Sequence, residues 1–355
     1  MPRSVQRIVQ QFVRQVVITA TTLSLALVAA CATDSTVGPG SPALARSSEG
    51  TPQTQASPWT VSLMTLPAGF TQGAAYQINS AGTIVGEAWN GAGIHQPILW
   101  TGGVPALVSV PAGFVGGWLS DISDAGAMVG SAQDAQGATH AFRATASVVT
   151  ALNDVGAGSS ATAIGGPSNA YIVGSFEDAS GNDLPVRWSA RFGTYTLLPL
   201  PSGRTGGWAS DINATGDIVG SVYDGAGHLN GYLWKADGTT KYIANYPSSN
   251  ARTIAPDGTI GFEATVVGIS APPYVANTVL WSIGNVWSIN ALDRVVGNES
   301  GAATTWRSGV KTPLPTILGQ SYAWARGINS CGTIVGQVGT ALGDRPLRWT
   351  RIACE

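Results

Sequence analysis

The sequence feature that most constrains the fold is a short segment that recurs seven times between residues 78 and 336. Each copy has a leading Ile, a turn that usually ends in Gly, and an apolar run that usually closes in Val-Gly. The copies are INSAGTIVG (78–86), ISDAGAMVG (122–130), IGGPSNAYIVG (164–174), INATGDIVG (212–220), IAPDGTIGF (254–262), INALDRVVG (289–297) and INSCGTIVG (328–336). Their leading Ile residues lie 44, 42, 48, 42, 35 and 39 residues apart. One structural unit of about 42 residues is therefore repeated along the chain.

Each unit predicts four short β-strands. Asn or Asp begins the first turn by bonding its own backbone, and Gly takes the position that needs a positive φ, so the flanking apolar runs form a hairpin. A third strand ends in Trp in six units, at Trp100, Trp188, Trp234, Trp281, Trp306 and Trp349. A fourth ends in a Leu-Pro or Val-Pro turn, as in TLLPLP (196–201). Four strands in a unit of this length are typical of a propeller blade, so residues 59–355 are predicted to form an all-β, seven-bladed β-propeller. A parallel β-helix is the alternative, although its coils would be about half as long.

The two ends of the repeat region predict how the ring closes. The segment VSLMTLP (61–67) matches a fourth strand but precedes the first unit, and the last unit stops after its third strand, RPLRW (345–349). The N-terminal strand is therefore expected to complete the last blade, which removes exposed sheet edges. The fifth unit is irregular, because Trp281 is followed too closely by the next unit; either that blade has three strands or residues 264–275 rearrange it.

Residues 1–30 are typical of a secretory signal segment. Three Arg and no acidic residue precede an uncharged run at 16–30, which is shorter than the ~20 residues of a membrane-spanning helix. Cys31 follows directly, and LVAAC (27–31) resembles the lipobox of bacterial lipoproteins, which implies lipidation of Cys31. Ordinary cleavage with an incidental thiol is the alternative. Ala32 resembles the outer-membrane sorting pattern, and residues 31–58, rich in Ser, Thr, Pro and Gly, are predicted to form a disordered tether.

Charge argues against one class of partner. After removal of the signal segment, residues 31–355 carry 15 Lys and Arg against 20 Asp and Glu, a net charge of −5. A nucleic-acid-binding protein would show a basic patch or stripe, so this class is not expected. The chain is predicted to be a monomer that contacts the membrane only through a lipid anchor.

The repeats also resemble the bacterial HAF repeat, described as a probable extracellular repeat. The signature IN-x-x-G-x-x-VG is visible in the copies at 78–86, 212–220 and 328–336, and the sequence His-Ala-Phe itself stands at 140–142. The resemblance covers most of 59–355. It implies secretion and a repeat architecture, and it implies no catalytic residues.

Two cysteines remain after Cys31, at positions 331 and 354. Both are expected on the same rim of the last blade, where an oxidising compartment would favour a disulfide that holds the two chain ends together. Two unpaired thiols are the alternative.

A candidate ligand-binding face is marked by three tryptophans, Trp118, Trp208 and Trp324, each four residues before a leading Ile. They are expected in the connections between fourth and first strands, with Asp121 and Asp211 beside two of them. Rings and carboxylates on a concave face would suit a sugar or an aromatic group; the alternative is a cap that packs over the blade ends. The Trp residues that end the third strands are interpreted as core.

No cofactor and no metal are expected. His95, His140 and His228 lie in three different blades and not at zinc-ligand spacing, and the Asp-x-x-Gly loops offer too few oxygens for Ca²⁺. The function that we predict is an envelope binding or scaffolding module for a glycan or an envelope protein. A polysaccharide lyase or hydrolase that uses Asp121 and Asp211 is one alternative, and a purely structural surface protein is the other.

Overall fold

A computed structural model describes residues 57–153, 158–243, 249–266, 269–270, 274–275, 278–279, 284–308, 310–317, 319–320 and 322–351. The described residues form β-strands and one short 3₁₀ turn at Pro167–Asn169. In this part of the chain, no helix has the length and apolar content to cross a lipid bilayer. The predicted signal segment, Cys31 and almost all of the predicted tether lie outside the described residues.

The strands follow the repeat in chain order. After the single strand β1 (Trp59–Leu63), sheet one contains β2 (Gln72–Ile78), β3 (Ile84–Trp89), β4 (His95–Thr101) and β5 (Val104–Leu107). Sheet two contains β6 (Gly116–Ile122), β7 (Met128–Gln133), β8 (Thr139–Ala144) and β9 (Val149–Ala151). Sheet three contains β10 (Gly158–Gly165), β11 (Tyr171–Glu177), β12 (Asp183–Ser189) and β13 (Tyr195–Leu197). Sheet four contains β14 (Gly206–Ile212), β15 (Ile218–Tyr223), β16 (Leu229–Trp234) and β17 (Thr240–Tyr242).

The second half of the chain continues the pattern after one irregular sheet. Sheet five contains β18 (Ser249–Ile254), β19 (Ile260–Val266), β20 (Ile269–Ser270), β21 (Tyr274–Val275) and β22 (Thr278–Val279). Sheet six contains β23 (Gly284–Ile289), β24 (Val295–Glu299), β25 (Ala302–Arg307) and β26 (Val310–Pro313). Sheet seven contains β27 (Ala323–Ile328), β28 (Ile334–Thr340) and β29 (Gly343–Arg351), and β1 pairs with β29.

The prediction of an all-β propeller is confirmed, but the prediction of seven blades is not. Six sheets are regular four-stranded antiparallel blades, whereas sheet five pairs β18, β19, β21 and β22, with β20 attached to β19. The second strand gives a local reason why sheet five differs from the six regular blades. The six regular blades carry Gly there, at a point where a Cβ would overlap a carbonyl oxygen of the first strand. Sheet five has Phe262 at that position, paired with Ala251.

Ring closure follows the sequence prediction. Strand β1 lies antiparallel to β29, with Trp59 opposite Arg351 and Leu63 opposite Leu347. The side chain of Trp59 is buried, and its Nε1 donates a hydrogen bond of 3.2 Å to the carbonyl of Gly332. The first and last described strands therefore share one blade.

The predicted disulfide between Cys331 and Cys354 is not present. Cys331 has a free thiol and is half-buried, and Cys354 lies outside the described residues. The space next to the turn that holds Cys331 is taken by other groups. The Trp59 indole binds Gly332 on one side, and the aliphatic part of Arg351 packs against Gly332. In the described residues, an aromatic side chain rather than a disulfide holds the closure.

Five of the tryptophans that end the third strands are core residues, as predicted, and the sixth, Trp281, lies outside the described residues. Trp100, Trp188 and Trp349 have no exposed surface. Trp100 Nε1 donates to the carbonyl of Thr65, in the segment between β1 and sheet one, at 2.7 Å. The indoles of Trp188, Trp234 and Trp349 donate the same kind of hydrogen bond to the carbonyls of Asn153, Pro199 and Pro315, respectively. In each case the acceptor stands 34 or 35 residues before the Trp. Each ring therefore fills a blade and ties it to the connection from the preceding sheet.

Candidate functional site

Every first strand carries a β-bulge at one and the same position of the repeat. The register between first and second strands shifts around the residue two places before the leading Ile, which therefore has no partner on the second strand. A bulge re-aims a side chain and sharpens the local twist. The residues in this position are Tyr76, Ser120, Thr162, Ser210, Arg252, Trp287 and Arg326.

These seven bulge residues all line one cavity of about 350 Å³, which we call the central cavity. Its remaining lining residues come from the same first strands: Gln77, Trp118, Asp121, Ala163, Trp208, Asp211 and Thr253. The volume lies within the range of small-molecule sites. A single cavity thus collects side chains from residues up to 250 positions apart, as between Tyr76 and Arg326.

Two of the three predicted tryptophans line this cavity. Trp118 and Trp208 are half-buried and lie within strands β6 and β14, not in the connections where the sequence predicted them. The Trp208 ring is 6.4 Å from that of Tyr223. Trp324 does not line the central cavity, and its ring packs edge-to-face on Tyr322 at 4.4 Å. The predicted set of three is therefore divided.

Asp121 and Asp211 both line the cavity, and each also joins neighbouring sheets. In Asp121, Oδ1 accepts from the Ile122 backbone N–H at 2.8 Å and Oδ2 accepts from that of Ile164 in sheet three at 2.9 Å. Asp211 repeats this arrangement with Ile212 and with Ile254 in sheet five. Their carboxylates therefore complete the backbone hydrogen bonding at the bulges.

The protein around these two carboxyls raises their pKa. Burial raises the pKa of Asp121 to about 7, against its backbone hydrogen bonds and with a further increase from the charge of Asp211. Burial likewise raises the pKa of Asp211 to about 6. Removal from water disfavours the charged form more than the amide hydrogen bonds favour it. Part of the Asp121 population is thus protonated at neutral pH.

Arginine and aromatic side chains line the side of the cavity that sheets five, six, seven and one form. The Trp287 ring lies between two guanidinium groups, with the Cζ of Arg252 4.6 Å and the Cζ of Arg326 4.5 Å from its centroid. The Cζ of Arg326 is also 5.2 Å from the ring centre of Tyr76. Such distances are within the range of cation–π contacts.

Polar residues of the second strands hold three of these side chains in place. Tyr76 donates its hydroxyl proton to Glu87, Trp287 Nε1 donates to Asn298 Oδ1 at 2.9 Å, and Arg326 Nε donates to Gln337 Oε1 at 3.2 Å. In each pair the acceptor stands 11 residues after the donor. The rotamers of this side of the cavity are therefore fixed by a second layer of contacts.

Two of these second-strand residues make a further contact with a residue of the third strand. Glu87 Oε2 lies 2.7 Å from His95 Nδ1, and Gln337 Nε2 donates to Asp344 Oδ2 at 3.0 Å. The hydrogen bond to Glu87 raises the pKa of His95.

The Asp-x-x-Gly loops are hairpin turns, as predicted. Asp134 Oδ1 accepts from the backbone N–H groups of Gln136 and Ala138, and Asp178 and Asp224 repeat the pattern. The described residues contain no group of three or more His, Cys, Asp or Glu side chains that could hold a metal ion.

The sequence interpretation missed Tyr76, Arg252, Trp287 and Arg326. A signal for them exists, since all four stand two residues before a leading Ile, directly after a position that is Ala in five of the seven copies. The alignment of copies does not show that the position two residues before the leading Ile is a bulge, or that its side chain faces the central cavity.

Comparison with known proteins gives the fold alone. No protein-family model and no curated protein sequence matches the chain. The β-propeller domain of the Trilobed protease from Pyrococcus furiosus, described as having an open velcro topology, is similar with a TM-score of 0.53 and 12% identity, over 79% of this chain and 94% of that one. An oligogalacturonate lyase in complex with manganese has a TM-score of 0.53 and 10% identity, over 83% of this chain and 96% of that one.

A third similar structure is larger. A puromycin-hydrolyzing peptidase from Mycobacterium tuberculosis has a TM-score of 0.53 and 11% identity, over 82% of this chain and 52% of that one. The chain therefore spans about half the length of that peptidase. The likeness to all three supports the propeller fold of this chain.

Proposed function

We propose that this protein is a binding module whose central cavity holds a saccharide. The observation that carries the proposal is the cavity of about 350 Å³ with Trp118 and Trp208 on its wall. Sugar rings present C–H groups that pack on indole faces, and both rings are half-buried and reachable from the cavity. Polar side chains between them, such as Ser120 and Ser210, can hydrogen-bond sugar hydroxyls.

Binding fits the cavity better than catalysis by its two carboxyls. A lyase or hydrolase would need carboxyl oxygens that are available to the substrate. Both oxygens of Asp121 and of Asp211 already accept backbone N–H groups that belong to the scaffold. Catalysis remains the second candidate because the pKa of each carboxyl is raised toward neutrality, which is a feature of acid–base residues.

The test is a saccharide screen with the purified protein that records binding and product release together. The variant with both Trp118→Ala and Trp208→Ala is expected to lose at least ~10-fold in affinity for any saccharide that binds. Trp89→Ala is the matched control, since Trp89 is also half-buried but stacks on His95 and does not line the cavity. Unchanged affinity in the double variant would contradict the proposal, and released products would favour the enzyme.

We also propose that sheet five occupies the place of a seventh blade. Its first strand has the same bulge as the six regular blades, its Arg252 lines the central cavity, and Asp211 of sheet four binds the backbone of Ile254. A crystal structure with β18 outside the ring would contradict this arrangement.

Display on the cell envelope through a lipid on Cys31 stays a proposal from the lipobox-like sequence. Mass spectrometry of the mature protein tests it. An unmodified Cys31 would contradict lipid anchoring and leave the binding proposal intact.

A further inference from the structure

The wall formed by Arg252, Trp287 and Arg326 places two positive charges against one indole ring in the central cavity. Each guanidinium carbon lies about 4.5 Å from the same indole ring, and the strand that holds Trp287 contacts both the strand of Arg252 and the strand of Arg326. Two like charges inside a protein repel each other, and neither has the full solvation of bulk water. Burial lowers the pKa of Arg326, and the charge of Arg252 lowers it further.

The fold itself does not require charged side chains at these positions. The same bulge is formed in sheets two, three and four with Ser120, Thr162 and Ser210. Small neutral residues therefore serve the backbone equally well. The cost of burying the Arg326 guanidinium in this wall points to a role in binding rather than to a structural need.

The charge of Arg326 is not cancelled by an ion pair within the described residues. Its Nε donates to Gln337, and its other contacts are with the rings of Tyr76 and Trp287. The nearby carboxyls have other hydrogen-bond partners, since Glu87 binds Tyr76 and His95, and Asp344 binds Gln337. The two terminal nitrogens of Arg326 thus keep their donors for a ligand in the cavity.

The carboxyls across the cavity do not compete for these donors. Each oxygen of Asp121 and of Asp211 accepts a backbone N–H, and none of them is within ion-pair distance of Arg326. The cavity therefore combines a basic side with the two half-buried indoles of Trp118 and Trp208.

We propose that Arg252 and Arg326 form an oxyanion-binding site in the central cavity and that the ligand is an acidic saccharide. A carboxylate or sulfate on the sugar is held by one of these guanidiniums, while sugar rings pack on Trp118 or Trp208. Guanidinium groups bind such oxyanions through two parallel hydrogen bonds. This inference rests on the proposed saccharide binding and names the chemical class of the saccharide.

The experiment is titration calorimetry of the full chain with three probes: trigalacturonate, its fully methyl-esterified form and sodium sulfate. The ester keeps the sugar rings and removes every charge, so it isolates the oxyanion. We expect trigalacturonate to bind at least 10-fold more tightly than the ester. Arg326→Gln is expected to weaken trigalacturonate binding about 10- to 100-fold, as for the loss of a charge-assisted hydrogen bond, and to leave ester binding unchanged.

Two further variants complete the design. Arg191→Gln is the matched control, because Arg191 is exposed, lies over the Phe192 ring at 5.1 Å and does not line the central cavity. Arg252→Gln repeats the test from sheet five if Arg326→Gln lowers the Tm so far that the protein is not folded. The comparison between acid and ester uses the unmodified chain and decides the matter even if neither variant folds.

The outcomes separate the two proposals. Equal affinity for acid and ester, with dependence on Trp118 and Trp208, would overturn the oxyanion site and leave saccharide binding in place. Sulfate binding that depends on Arg326, without binding of either saccharide, would support the oxyanion site and overturn saccharide binding. No binding of trigalacturonate or sulfate would overturn the oxyanion site.

Discussion

The residue two places before each leading Ile differs in chemistry from sheet to sheet. It is Tyr76, Arg252, Trp287 or Arg326 on one side of the central cavity and Ser or Thr on the other. The residue that follows it is different in kind, since Asp121 and Asp211 hold backbone amides of their own and the next sheet. In sheets two and four, Ser120 and Ser210 thus line the cavity, and the aspartate that follows each of them both lines the cavity and joins two sheets.

The raised pKa values at this scale predict how stability depends on pH. In the folded protein Asp121 and Asp211 have pKa values of about 7 and about 6, above the ordinary value of 3.8. Between pH 4 and pH 7 the folded state therefore binds more protons than the unfolded state, so their contribution to stability falls as pH rises through this window. We expect the Tm to be higher at pH 5 than at pH 7.5.

The Asp121→Asn variant isolates this effect, because Asn stays neutral at every pH. It is expected to flatten the pH dependence of the free energy of unfolding by on the order of 2 kcal/mol between pH 5 and pH 7.5. Thermal unfolding at a series of pH values measures it, with Asp257→Asn, which removes an exposed carboxyl, as control. A variant with the same pH dependence as the unmodified chain would show that the pKa of Asp121 is not raised.

At the scale of elements, the bulge of the first strand and the Gly of the Val-Gly signature depend on each other. The bulge brings the first-strand carbonyl of Trp118 over Gly130, and the same close approach recurs in all six regular blades. The Asn that begins the turn adds contacts between sheets. Asn79 accepts the Thr83 N–H with its Oδ1 and donates from Nδ2 to the carbonyl of Ser123 in the next sheet.

Gly130→Ala tests this dependence. Its Cβ would overlap the Trp118 carbonyl, a backbone atom that cannot move aside without displacing strand β6. We expect the free energy of unfolding to fall by about 1–3 kcal/mol or more, measured by denaturant unfolding. The control is Gly225→Ala, since a Cβ on Gly225 meets no atom within 4 Å. Equal stability of the two variants would contradict the steric explanation.

At the scale of the whole molecule, the N-terminal strand completes the last sheet. Strand β1 pairs with β29, and Trp59 is 4% exposed and hydrogen-bonded to Gly332 across the closure. The turn asparagines continue around this junction. Asn290 Nδ2 donates to the Asn329 carbonyl, and Asn329 Nδ2 donates to that of Asn79. The contacts between neighbouring sheets are therefore not interrupted where the chain ends meet.

Trp59→Ala is expected to lower the stability of the whole ring. Loss of a large buried aromatic side chain costs about 3–5 kcal/mol, and here it also removes the hydrogen bond to Gly332. Calorimetric unfolding should show a lower Tm in a single transition. Thr60→Ala, an exposed position on the same strand, should be close to neutral. A Tm unchanged by Trp59→Ala would mean that β1 does not hold the ring closed.

Much of the architecture could be predicted from the sequence because it depends on local patterns. The Asn and Gly of each turn, the alternation of the strands and the Trp that ends the third strand act within one unit. The pairing of β1 with β29 was also predictable, since one unit lacked a strand and another segment was left over. The irregular sheet five was recognisable, but its strand order was not, because its second strand lacks the Gly that the other sheets share.

The chain of amino acids by itself determined the repeat, its turns, its all-β strands and the closure of the ring. Only the tertiary structure decided which side chains meet at the centre. Trp324 was expected with Trp118 and Trp208 but lies apart, whereas Arg252, Trp287 and Arg326 converge although they stand 35 and 39 residues apart. The physical reason is that a bulge turns one side chain of each first strand inward, and closure of the ring then brings those side chains together.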